Sequence, residues 1–91
     1  MAAPDRPWFL WDVDVSDAVF RERLKDPDPR IRAQWQGKLL REARVEEVWR
    51  YLSLTEILAN WEFIRRHLGR RRPLWDSTLN AWREHGFIPA R

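Results

Sequence analysis

The chain has no cysteine, three glycines, two lysines and no long apolar run in its 91 residues. Without thiols there is no disulfide framework, no thiolate zinc site, no iron–sulfur cluster and no cysteine nucleophile. So few glycines leave no glycine-rich loop of the kind that cradles phosphate. No apolar stretch approaches the roughly 18 to 20 residues that span a bilayer. The opening Met1 to Arg6 also lacks the charged-then-apolar pattern of a secretory leader. The expectation is a soluble cytoplasmic protein that needs no cofactor and does not contact a membrane. One domain is all this length allows, and it buries only about 60 to 65% of the surface exposed in the unfolded chain.

Charge, arginine and tryptophan are what the chain has in quantity. Seventeen cations oppose 14 carboxylates, but residues 1–29 carry a net −3 and residues 30–91 a net +6. Fifteen of the cations are Arg, and Asn, Gln and Met together number five, a composition that fits a heat-adapted source and that high-GC coding would also produce. Seven tryptophans, at 8, 11, 35, 49, 61, 75 and 82, are more than a core of 11 kDa readily holds. One or two are therefore expected on the surface, where Trp is enriched at binding hot spots.

The pattern along the chain is helical after an extended start. Residues 1–15 read as a lead-in and arm, with Phe9, Trp11, Val13 and Val15 on one side of an extended Trp8–Val15 segment and Asp12 and Asp14 on the other. A lone strand cannot satisfy its own backbone, so the arm either lies across helices or offers an edge to a partner. Residues 16–91 read as the helical bundle domain. Ser16 caps a short helix that ends before Pro27, with Val19 or Phe20 and Leu24 inward. Asp28-Pro29 starts a second helix through Ile31, Trp35, Leu39, Leu40 and Ala43, and Gly37 in its middle marks a close crossing. Val45, Val48, Trp49 and Leu52 continue the apolar stripe, which leaves one helix or two over residues 29–52. Ser53 to Glu56 forms a capping box ahead of Leu54, Ile57, Leu58, Trp61, Ile64 and Leu68, which predict one amphipathic helix ending at Gly69. Pro73 opens a last helix with Trp75, Thr78, Leu79 and Trp82 on one face and Gly86 as its stop. The apolar tail Phe87-Ile88-Pro89 is expected to fold back onto the bundle.

Few residues invite catalysis. Asp12 and Asp14 have the D-x-D spacing that shares divalent cations in some transferases, yet neither a third carboxylate nor a phosphate loop accompanies them. His67 and His85 are the only imidazoles, and each sits where a helix C-terminus favours a cation. No serine lies in a G-x-S-x-G elbow. Metal and catalytic residues are thus expected to be none. Arg65, Arg66, Arg70, Arg71 and Arg72 put five cations into eight residues, suited to docking phosphate or an acidic surface because guanidinium forks match both. With the turn at Gly69 and the following helix, this run also has the outline of a helix-turn-helix for DNA, although Arg65 occupies a position that motif gives to a small residue.

Phe9-Leu10-Trp11-Asp12-Val13-Asp14, the Lys38-Leu39-Leu40 to Trp49 helix and Leu74-Trp75 together resemble a family of small uncharacterised bacterial proteins. These have an N-terminal F-W-D-x-D arm followed by a compact helical bundle, and often accompany a nucleotidyltransferase-type abortive-infection toxin. The resemblance covers most of residues 9–83 and departs at Ala43-Arg44, where the family tends to have a Gly-Asp turn. It implies an antitoxin-like or accessory role. The expectation is an all-α bundle of four or five short helices, non-catalytic, that binds a protein partner or a second copy of itself. Trp8, Trp11, Asp12, Asp14, Arg65, Arg66, Arg70, Arg71 and Arg72 are the candidate contacts, and nucleic acid is the alternative partner.

Overall fold

The computed structural model describes residues 7–10 and 12–86. Trp11, the lead-in Met1 to Arg6 and the tail Phe87 to Pro89 lie outside them. The protein is an all-α bundle, and no strand occurs among the described residues. Among the described residues six helices follow one another: α1 (Asp17–Arg23), α2 (Pro29–Glu42), α3 (Val45–Val48), α4 (Leu54–Ala59), α5 (Trp61–Ile64) and α6 (Arg72–Glu84). Short 3-10 turns lie at Trp8–Leu10, Arg65–His67 and Gly69–Arg71.

Side-chain caps set most of the helix starts. The Ser16 hydroxyl accepts the Val19 N–H at 3.2 Å, and the Asp28 carboxylate accepts the Arg30 N–H at 2.9 Å ahead of Pro29. Ser53 and Glu56 close a reciprocal capping box at 3.1 and 3.0 Å. Between residues 29 and 52 there are two helices: the backbone turns extended at Ala43 and Arg44, and Glu47 accepts the Arg44 N–H at 3.2 Å to start α3. Gly69 and Gly86 adopt positive φ values of 54° and 79°, which only glycine takes without cost, so the chain turns at both.

Three expectations from the sequence are corrected. Trp8–Leu10 is a 3-10 turn, not a strand, and Phe9 and Leu10 are both buried although alternation had set them on opposite sides. The helix predicted over Leu54–Leu68 breaks at Asn60, whose φ of −119° and ψ of 16° leave the helical region. The reason is polar: the buried Asn60 amide donates to the Gln36 side chain at 2.8 Å and to the Pro29 carbonyl at 3.0 Å, tying this turn to α2. Ile31, expected inward, is exposed, and α2 instead turns Ala33, Gln36 and Leu40 inside.

The core runs from Phe9, Leu10 and Phe20 through Leu39 and Leu40 to Ile64, Trp75 and Leu79. Phe9, Phe20 and Tyr51 meet edge to face with centroids 5.4–5.8 Å apart, so the N-terminal turn is sealed by aromatic packing. Helix α2 packs against α1, α3, α5 and both later 3-10 turns. At Gly37 the approach is close: a Cβ there would collide with the His67 Cβ and lie 3.5 Å from the Ile64 carbonyl oxygen. No side chain fits that gap, which is why glycine stands mid-helix despite its conformational cost.

Gly37→Ala should therefore destabilise the protein by about 1–3 kcal/mol, the range for overpacking, even though Ala favours helix by roughly 1 kcal/mol. Adding His67→Gly should return part of that loss. Urea unfolding of the single and double variants checks both, and a stabilised Gly37→Ala protein would show the crossing to be loose.

Candidate interaction surfaces

The N-terminal segment spends most of its functional groups internally. The Asp12 carboxylate accepts a hydrogen bond at 2.7 Å from the ammonium of Lys38, a lysine buried on α2, and this bond holds the Asp12 pKa below the ordinary carboxylate range. Asp14 is engaged as well. The Trp8 indole N–H donates to Glu47 at 2.7 Å, and the Arg44 guanidinium lies 5.9 Å from the Trp8 ring, yet 56% of Trp8 stays exposed. Of the predicted contact residues in this segment Trp8 thus keeps a free face, Asp12 is exposed but paired with Lys38, and Trp11 lies outside the described residues. No group of three or more His, Cys, Asp or Glu that could hold a metal ion occurs among the described residues.

Five arginines adjacent in sequence are dispersed in space. Arg71 points inward, its guanidinium donating to the carbonyls of Leu40 and Ala43 at the end of α2. Trp75 joins it, its buried indole N–H donating to the Leu40 carbonyl at 3.0 Å. Helix C-termini leave carbonyls without partners, and these two side chains supply donors. Arg65 instead lines a cleft of about 420 Å³ with Trp61, Glu62, Asp76, Asn80 and Arg83, its Nε buried and lacking a hydrogen-bond partner. Arg72 faces Asp76 at 3.7 Å one turn along α6. Of these five, Arg66 and Arg70 are exposed and have no carboxylate partner among the described residues. The helix-turn-helix outline is altered too, because a four-residue α5 and two 3-10 turns precede α6.

A surface missed at the sequence level lies on α3 and α6. Val45 and Trp49, one turn apart, are each 38% exposed, and Leu74 is 49% exposed. The Trp49 ring packs 5.8 Å from Trp82 and 6.1 Å from the buried Trp75, while Leu74, Thr78 and Trp82 follow one another along a flank of α6. In the sequence Val45, Val48, Trp49 and Leu52 continue the apolar stripe of α2, and the pattern does not separate the residues that face out from those that face in. Because α3 is a single turn, only Val48 and Leu52 reach the interior. The signal in the sequence was the surplus of apolar positions over what one helical turn can bury.

Comparisons with protein-family models, with curated proteins and with solved structures find nothing that matches this chain. No helix among the described residues is long and apolar enough to cross a membrane.

The network at α1 has a pH signature. Burial raises the Asp17 pKa, but hydrogen bonds from Arg21 at 2.8 Å and the Tyr51 hydroxyl at 2.7 Å outweigh it and hold the carboxyl below its ordinary value. Burial, then the Asp17 hydrogen bond, pushes the Tyr51 phenol up to about 12. A free tyrosine ionises near pH 10. The folded state thus keeps the phenol neutral where the unfolded chain ionises it, and this stability is complete below about pH 10 and lost as pH rises towards 12. The depressed Asp12 and Asp17 act at the other end: their contribution is present above roughly pH 4 and lost as pH falls through their folded values. Thermal melts should show Tyr51→Phe less stable near neutral pH and less sensitive to alkali than the parent. Equal alkaline sensitivity would mean that burial and Asp17 do not keep the phenol neutral in the folded state.

Proposed function

We propose that this protein is a non-catalytic, cytoplasmic protein-interaction module whose docking face is formed by Val45, Trp49, Leu74 and the flank of Trp82. The observation that supports this most is the exposure of Trp49 beside two other indoles. Tryptophan carries a large share of binding energy when it enters a partner's pocket, and an apolar cluster at the surface of a small protein is costly in water. Trp8, held by Glu47 with most of its ring outward, is a second anchor for a protein partner.

The resemblance of Phe9 to Asp14 and of the following helices to the small bacterial proteins described above supports a more specific role, that of an antitoxin-like or accessory partner of a nucleotidyltransferase-type toxin. A second copy of the chain is the alternative occupant of the same face.

Co-expression with the product of the adjacent gene, followed by affinity capture and light scattering after size exclusion, tests the reading. The parent should retain that product or run as a dimer. Trp49→Ala should weaken the association by about 2 kcal/mol or more, roughly thirtyfold, the scale of an interface hot spot. Its thermal stability should fall much less than that of a variant lacking the buried Trp75. A parent that is monomeric and captures no adjacent product, or a Trp49→Ala variant that associates as well as the parent, counts against the proposal.

A further inference from the structure

We infer that a notch between the start of α2 and the α5 end is a binding site for single-stranded nucleic acid, with Arg30 and Arg66 taking the phosphodiester. Arg30 and Gln34 stand one turn apart on α2, and Phe63, Arg66 and His67 face them across a notch of about 230 Å³ whose lining contains no carboxylate. Both guanidinium groups are exposed and lack an ion-pair partner among the described residues. The nearest engagement of Arg66 is the Phe63 ring, 5.9 Å away.

Two unpaired cations on facing walls repel each other, and an anion placed between them relieves the repulsion. Guanidinium forks match phosphate oxygens in particular. Beside them Phe63 offers an aromatic ring and Gln34 an amide, the combination of cation, stacking surface and hydrogen-bonding group that single-stranded nucleic acid uses. The walls are fixed in place. Gly37 lets His67 sit directly against α2, and the Arg41 guanidinium donates to the His67 carbonyl at 2.9 Å.

A single strand is favoured over a duplex by what surrounds the notch. Arg71 is turned into the end of α2, Arg65 into the cleft beside Asp76, and Arg72 towards Asp76, so among the described residues this run leaves only Arg66 and Arg70 outward, too few to track two strands. A concave site can admit a base only when that base is unstacked. This site shares no residue with the Val45, Trp49 and Leu74 face, so the failure of either reading leaves the other standing.

Fluorescence anisotropy with a labelled deoxythymidine oligomer of about ten nucleotides, a length within the usual site size for such proteins, tests the inference at low and at physiological salt. Binding should be present at low salt and weaken with a shallow slope, as expected for few phosphate contacts. The Arg30→Ala/Arg66→Ala variant should lose about tenfold or more in affinity, and Phe63→Leu about fivefold or more. Arg50→Ala/Arg83→Ala, which removes the same charge elsewhere, should stay within about twofold of the parent. Absence of binding at low salt overturns the inference. So does an equal loss in the two double variants, or a duplex of the same length bound as tightly as the single strand.

Discussion

The close contact between Gly37 and His67 is the constraint on which the rest of the bundle depends. Because α2 carries no side chain there, the segment from Trp61 to His67 comes down onto the helix backbone. That approach sets the height of everything that follows. Arg41 reaches the His67 carbonyl, the chain turns at Gly69, and Arg71 and Trp75 arrive where the last carbonyls of α2 await donors. A helix whose end is closed by side chains from a remote helix cannot fray by itself. Its opening must be coupled to the loss of α6 from the core.

Polar side chains take a larger part in this interior than the composition suggests. Lys38, Gln36 and Asn60 are all buried on or beside α2, and each meets a partner at 2.7–3.0 Å. A buried polar group without a partner costs more than a satisfied one gains. These bonds therefore act mainly to exclude other arrangements: a slipped α2 would strand an ammonium and two amides. In a small core with few apolar contacts to spare, such penalties help to select one packing among several of similar hydrophobic content.

Local chemistry was legible in the sequence, and three-dimensional competition was not. Ser16, Asp28 and Ser53 cap the helices that their sequence context implies, Pro73 opens the last one, and Gly37 marks a crossing, because each acts on neighbours a few residues away or reports a lack of bulk. The break at Asn60 escaped because its cause is Gln36 and Pro29, far off in the chain. The 3-10 turn at Trp8–Leu10 escaped for a similar reason: strict alternation describes an isolated strand, whereas the pocket made by Phe20 and Tyr51 rewards a turn that buries two successive side chains. The arginine run shows the limit most clearly. Adjacent cations look like one patch in one dimension, but turns at Arg65–His67 and Gly69–Arg71 rotate successive side chains to different sides of the molecule. Spacing in sequence could not separate Arg71, an internal donor, from Arg66, an outward charge.

The indole cluster has an optical consequence. With Trp49 within 5.8–6.1 Å of both Trp82 and Trp75, the electronic transitions of the three rings couple and add their own bands to the circular dichroism of the folded state. Helix content taken from ellipticity alone will misstate the secondary structure of this chain. The same coupling turns the native protein into its own reporter, since the bands vanish when α3 and α6 separate even if both remain helical.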